Sequence, residues 1–187
     1  MTSYESLTCH MFDLDGTLIR SYMDRPDKNF AAVELLPGVA ERWAHLRSTT
    51  GNNLAIITNQ AGVAFGYNSE ADVQRKLCAV GAALGYGWIE LHDGSAEPIE
   101  LDTNARKVAG VLRVYVCYTH PKASIEQYRD DVLTSDRRKP SPAMIHEAYQ
   151  KEGYTQFGLF VGDSSEDEKA ARNAGIAFQW AEEFFHA

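Results

Sequence analysis

Three features of the sequence predict an α/β fold built on one parallel, doubly wound sheet. Short apolar runs alternate with helix-forming segments along the chain. The runs are nearly continuous rather than alternating, as expected of strands covered on both faces. Most end in polar residues that can do chemistry, and a parallel sheet gathers such ends on one edge.

The elements follow in order. Leu7 to Phe12 reads as the first buried strand, and it runs straight into Asp13-Leu14-Asp15-Gly16-Thr17. Pro37-Gly38 opens a helix to about Ser48, with Val39, Trp43 and Leu46 on one face. Leu54 to Ile57 is the second strand and ends at Thr58-Asn59. Ser69 caps a helix running through Leu84, with Asp72 in place of the usual glutamate at N3. Val111 to Tyr118 is the third strand, closed by Thr119-His120-Pro121. Ser141-Pro142 supplies an N-cap followed by proline at N1, and that helix runs to about Glu152 before Gly153. Phe157 to Val161 is the fourth strand, ending at Gly162-Asp163. Glu166 to Ala174 is a helix stopped by Gly175, and Ile176 to Trp180 is a weaker fifth strand. Ser21 to Leu35 and Gly85 to Gly110 fit neither pattern and read as excursions on the ligand side of the sheet.

Composition narrows the class. A chain of 187 residues with 44% hydrophobic and 24% charged residues is expected to be one soluble domain, 1–187, with a small insertion at about 85–110. No apolar run approaches the length of a membrane span, and Met1 to Glu5 lacks the pattern of a secretion signal, so a cytoplasmic location is expected. Cys9, Cys78 and Cys117 are an odd set in apolar surroundings and read as buried reduced thiols. A net charge of −8 disfavours broad binding to nucleic acid or anionic membrane. It leaves room for a local anion site built from a few cations, backbone N–H groups or a metal.

The chemistry centres on the first strand's end. Side chains two apart on a strand point the same way, so Asp13 and Asp15 converge where open α/β sheets bind ligands. Two carboxylates there can divide labour between nucleophile and proton carrier. A calcium loop of the EF-hand kind needs further oxygen ligands and a closing glutamate, whereas Thr17-Leu18-Ile19-Arg20 follow here. The other strand ends add Thr58 and Asn59, then Asp163 with Asp167 four residues on, and a loop adds Arg137, Arg138 and Lys139. The carboxylates suit Mg²⁺, and the hydroxyl, amide and ammonium groups suit phosphoryl oxygens.

These residues resemble the haloacid dehalogenase (HAD) superfamily of phosphohydrolases. Its four motifs match Asp13 to Thr17, Thr58, Lys139, and Gly162-Asp163 with Asp167, in the right order and over nearly the whole chain. The resemblance implies a Mg²⁺-dependent phosphomonoesterase acting on a small phosphorylated metabolite. It makes Asp13 the nucleophile that becomes an aspartyl-phosphate, and Asp15 the group that protonates the leaving oxygen and then activates water. Thr58 and Lys139, with Asn59 and Arg138 beside them, hold the phosphate. Asp13, the backbone carbonyl of Asp15 and Asp163 hold Mg²⁺, and Asp167 supports them. The spacing between motifs leaves no room for a large cap domain.

Leu36-Pro37-Gly38-Val39, Ile57 to Gly66 and Arg138 to Pro142 further resemble the capless histidinol-phosphate and heptose-bisphosphate phosphatases. Those carry a zinc loop, of which Cys117 matches one ligand, while Thr119, Ser135 and Arg137 stand at the other positions. Structural zinc is therefore not expected. Phe12 to Ile19 and Thr58-Asn59-Gln60 also resemble the phosphatase half of polynucleotide kinase 3′-phosphatases, which implies a nucleic-acid end as the alternative substrate. A binding protein that kept the fold without turnover is a third reading, disfavoured by the complete set of motif residues. No nucleotide-binding P-loop accompanies them. Trp43, Trp88 and Trp180 read as packing residues, and His10 as a packed strand histidine. His120 sits where it could face a substrate.

Overall fold

The computed structural model describes residues 8–50, 53–104, 110–129, 137–152 and 156–186. Seven strands form one sheet: β1 (Thr8–Phe12), β2 (Leu54–Asn59), β3 (Trp88–His92), β4 (Ile99–Asp102), β5 (Val111–Cys117), β6 (Gln156–Gly162) and β7 (Ala177–Trp180). Their order is β4-β3-β5-β2-β1-β6-β7. All neighbours are parallel except β4, which runs antiparallel to β3 at one edge. Among the described residues five helices cover it: α1 (Val39–Thr49), α2 (Glu70–Ala83), α3 (Ala143–Glu152), α4 (Ser165–Ala174) and α5 (Ala181–His186).

Strand alternation sorts the core into two layers. Phe12, Ile56, Val114 and Val161 pack with Trp43 of α1, Val73 and Leu77 of α2, and Phe184 of α5. Their neighbours Met11, Ala55, Ile57, Tyr115 and Phe160 face the other way, onto Met144 and Ile145 of α3 and Ala170 of α4. β1, with β2 on one side and β6 on the other, is fully enclosed, so its carboxyl end opens at the middle of the ligand edge.

Local signals account for the helix ends. Ser69 and Asp72 form a reciprocal capping box at α2, and Ser164 and Asp167 form another at α4. Gly175 stops α4 with a left-handed φ of 72°. At α3 the Ser141 hydroxyl accepts the Ala143 N–H at 3.2 Å, next to Pro142. The expected stop at Gly153 lies outside the described residues.

The structure departs from the expected excursion over Gly85 to Gly110. Its described residues supply β3 and β4, a hairpin that extends the sheet, and only the 93–98 turn projects at the ligand edge. These strands carry an edge pattern: Trp88 is exposed, Ile89 buried, and β4 alternates between half-buried and exposed residues. Ser21 to Leu35 does form an excursion, a flap with one 3₁₀ turn at Tyr22–Asp24, tied back by Arg20 N–H to Glu34 O and Leu36 N–H to Leu18 O. The tryptophans split. Trp43 is buried and donates to the Tyr86 hydroxyl at 3.2 Å, whereas Trp88 is exposed and Trp180, also exposed, packs edge-on against Phe178 at 5.0 Å. Cys9 and Cys117 are buried and Cys78 is half-buried, all three outside any disulfide.

Candidate active site

The end of β1 is held by its neighbour, since Asp13 N–H donates to Val161 O of β6 at 2.9 Å. Asp13 is 7% exposed. Lys139, 3% exposed, comes in from the loop before α3 and places its ammonium 2.5 Å from Asp13 Oδ1. The same ammonium lies 2.6 Å from Asp167 Oδ1 and donates to Ile57 O at 3.0 Å. Asp167 Oδ2 meanwhile accepts from the Ser164 N–H and hydroxyl, so the capping box also fixes this carboxylate. Asp163 stands beside them, more open to solvent, with the Thr17 hydroxyl 3.5 Å from its Oδ1. Gly16 is required twice: its φ is +89°, and a Cβ there would sit 2.0 Å from Asp163 Oδ2.

Electrostatics at this cluster are strained. Burial pushes Asp13 up to about 7, Asp167 and Asp15 add to the rise, and Lys139 opposes it. Burial and Asp167 likewise raise Asp163. Burial works against the charged form of Lys139, but Asp13 and Asp167 outweigh it and hold the lysine above its ordinary value. Asp13, Asp163 and Asp167 each offer an oxygen within 4.8 Å of the others. With Asp15, four carboxylates face two ammonium groups among the described residues, Lys139 and Lys76. That surplus of negative charge and the all-oxygen donor set fit a hard divalent cation.

Asp15 has different surroundings. Its two oxygens lie 2.7 and 2.8 Å from the Lys76 ammonium, and Oδ2 also accepts from Gln60 Nε2 at 2.8 Å. Gln60 Nε2 reaches the Thr58 hydroxyl too, at 2.9 Å, and Thr58 is buried. The expected site residues Asp13, Asp15, Thr58, Lys139, Asp163 and Asp167 thus gather at one edge. Asn59 and Arg138 are engaged differently from the expectation. The Asn59 amide clamps the Lys139 backbone on both sides, donating to Lys139 O and accepting from Lys139 N–H, each at 3.1 Å. Arg138 lies 4.0 Å from Glu166. His120 packs against Phe65 in a tilted contact with ring centroids 4.9 Å apart, and its Nδ1 accepts the Lys122 N–H. Cys117 Sγ sits 3.2 Å from the Thr119 hydroxyl, and Ser135 lies outside the described residues.

The family model for polynucleotide kinase 3 phosphatase matches residues 8–185. The chain belongs to this family. A D-glycero-beta-D-manno-heptose-1,7-bisphosphate 7-phosphatase of Rhodopseudomonas palustris is 30% identical over 165 residues, covering 88% of this chain and 77% of the relative. The Salmonella typhi enzyme of the same name is 28% identical, covering 92% and 78%. Among solved structures, a chain from Mesorhizobium loti described as HAD-like phosphatase superposes with a TM-score of 0.66 at 24% identity, over 92% of this chain and 70% of that one. The D,D-heptose 1,7-bisphosphate phosphatase of B. bronchiseptica, complexed with magnesium and phosphate, gives 0.59 at 21% identity, over 91% and 78%. The protein is therefore a phosphatase of the HAD superfamily with the fold expected from its sequence.

Lys76 and Gln60 of this phosphatase are not singled out by the motifs. A signal for Lys76 does exist. On α2 the buried face is Val73, Lys76, Leu77, Val80 and Gly81, so the helical period puts a lysine at a core position. Gln60 follows the Thr58-Asn59 strand end directly, and its N–H donates to Cys117 O at 2.8 Å.

Proposed function

We propose that this phosphatase is a phosphomonoesterase that acts through an aspartyl-phosphate on Asp13, with a small sugar phosphate as substrate. The observation that carries the reading is Lys139, whose ammonium touches Asp13 and Asp167 together at the end of the central strand. It presents a cation where phosphoryl oxygens must lie if Asp13 attacks phosphorus. Asp13 Oδ forms the new P–O bond as the ester P–O bond breaks, and Asp15 gives a proton to the departing oxygen. Asp15 then takes a proton from the water that attacks the aspartyl-phosphate, so Asp13 and inorganic phosphate are released and Asp15 ends as it began. Thr58 and Lys139 hold phosphoryl oxygens through both steps, and Asn59 keeps the Lys139 backbone in place.

Asp13, Asp163 and the Asp15 carbonyl would hold Mg²⁺. Bound there, the ion would offset the charge of the phosphate dianion among these carboxylates.

The sugar-phosphate class is supported by the relatives' names and by a cavity of about 220 Å³ at the ends of β3 and β5. Glu70, Asp93, Ser95, Tyr118, Thr119 and Arg137 line it, a set of carboxylates, hydroxyls and one guanidinium that offers donors and acceptors to a polyhydroxylated group. Asp93 and Ser95 belong to the β3–β4 turn, so this turn contributes to substrate choice. The family model favours a second reading, a 3′-phosphatase on nucleic-acid ends. The net charge of −8 weighs against it.

The test is a panel of sugar phosphates, histidinol phosphate, nucleotides and 3′-phosphorylated oligonucleotides, each assayed with and without Mg²⁺. Preference for a sugar phosphate with an absolute Mg²⁺ requirement is expected. Preference for the oligonucleotides would establish the second reading, and turnover independent of added metal and of EDTA would remove the metal from it.

A further inference from the structure

Lys76 is 2% exposed, and burying an ammonium is unfavourable unless it is fully paired. Its partners are both oxygens of Asp15, at 2.7 and 2.8 Å, and the face of the Phe30 ring, 4.7 Å from the ring centroid. Nothing in the packing of α2 calls for a cation, because Val73, Leu77 and Val80 on the same face are apolar core residues. The lysine therefore sits at a core position in order to reach one carboxylate.

What it does to that carboxylate follows from the contacts. An aspartate at a strand end can turn about χ1 and χ2. Lys76 grips both oxygens, and Gln60 grips Oδ2 while bridging to Thr58. Together they fix the plane of the carboxyl group relative to the phosphate-holding hydroxyl. The Asp15 side chain stays 26% exposed, so one edge is open to a leaving group. Phe30 belongs to the flap and its ring lies against the Lys76 ammonium, which ties the flap to the same network.

We propose that Lys76 is a positioning residue for proton transfer: it holds Asp15 in the orientation that delivers a proton to the departing ester oxygen. The proposal rests on the role given to Asp15 above, and the experiment separates the two.

The test compares an aryl ester and an alkyl ester. p-Nitrophenolate leaves without needing a proton, whereas the alkoxide of glycerol phosphate does not. The quantity read is kcat/KM, which covers the steps up to leaving-group departure. Lys76→Met should lower kcat/KM for glycerol phosphate at least about tenfold more than for p-nitrophenyl phosphate, within the range that general acid catalysis supplies. The inhibition constant of inorganic phosphate should stay within roughly threefold of wild type, since the phosphoryl contacts are untouched. Lys76→Arg keeps the charge and should restore part of the alkyl-ester rate.

Equal losses on both esters would overturn the proposal, because a merely structural lysine affects them alike. A rise in the phosphate inhibition constant that matches the loss of rate would overturn it too, since Lys76 would then be a substrate contact. If Lys76→Met does not fold, the ester contrast of Lys76→Arg decides by the same criteria. Asp15→Asn is the control. If it shows no ester contrast, the role of Asp15 is wrong; if it shows one and the Lys76 variants do not, only Lys76 is wrong.

Discussion

Asp13 and Asp15 stand two residues apart on one strand end, yet their surroundings differ in kind. The Asp13 side chain is 10% exposed and crowded by Asp167 and Asp163, with Lys139 as its ammonium partner. The Asp15 side chain is 26% exposed, held by Lys76 on both oxygens and by Gln60 on one. The difference teaches how one strand can supply two functions. A dry pocket with surplus negative charge keeps a carboxylate reactive and draws in a cation and a phosphate. A more open pocket with two directional donors keeps a carboxylate oriented and within reach of water and leaving group.

The sharpest way to break this contrast is to neutralise each carboxylate in turn. Asp13→Asn should abolish turnover of every ester, by roughly 10⁴-fold or more, because the amide is nearly isosteric but a very poor nucleophile. Purified Asp13→Asn protein with near wild-type rates would show that Asp13 is not the nucleophile. Asp15→Asn should cost less, roughly 10²- to 10³-fold on alkyl esters. Rapid-quench measurement should find a phosphoenzyme that forms from p-nitrophenyl phosphate and hydrolyses slowly. An Asp15→Asn enzyme as inactive as Asp13→Asn on both ester classes would erase the proposed division of labour.

The Asp13 half of the site is readable from the sequence because strand ends carry it. Asp13, Thr58 and Asp163 each follow an apolar run, and a parallel sheet brings such positions together whatever the loops do. Lys139 is readable only through its resemblance to a family motif, since a loop lysine gives no period to follow. The Asp15 half is less legible. Lys76 reaches it from a helix face 61 residues away in sequence, and lysines on helices are ordinarily solvated. Its one trace is its place in the buried face of α2. The β3–β4 hairpin is hidden for a related reason. The edge strand β4 keeps the charged Glu100 and Asp102 exposed, and Glu90 stands opposite Glu100 on β3, so the hairpin lacks the continuous apolar run that marks β1, β2, β5 and β6. The role of Asn59 could not be read from sequence, because its partner is the backbone of Lys139, 80 residues on.

Two further substitutions sharpen the contrast inside the Asp13 pocket. Asp163→Ala removes a candidate metal oxygen and should raise the Mg²⁺ concentration for half-maximal rate roughly tenfold to hundredfold. Lys139→Ala removes the proposed phosphate cation. It should lower the rate and weaken phosphate inhibition even at saturating Mg²⁺, and it should destabilise the fold by about 3 kcal/mol by leaving buried Asp13 and Asp167 without their partner. Mg²⁺ titrations of both variants, with thermal unfolding alongside, separate the roles. Identical and unchanged metal dependence in the two would count against the assignment.

The smallest expected effect concerns stability, and its sign is the informative part. Burial raises Asp13 from 3.8 to about 7 in the folded protein. A carboxyl group with a raised folded pKa favours the protonated native state, so the protein loses stability as pH climbs from about 4 to about 7 and stays level above. That shift sets the sign of the effect, and the ion pair with Lys139 that the amide gives up takes back part of the gain. Asp13→Asn should therefore be more stable than wild type by about 1 to 2 kcal/mol at pH 8 in EDTA, with a smaller gain at pH 5. Urea unfolding at the two pH values reads this directly. Saturating Mg²⁺ should narrow or reverse the order, because the wild-type carboxylate gains a ligand that the amide binds poorly. A variant less stable than wild type at pH 8 without metal would mean that Lys139 already satisfies Asp13 in full. The cation would then not be needed to relieve that pocket.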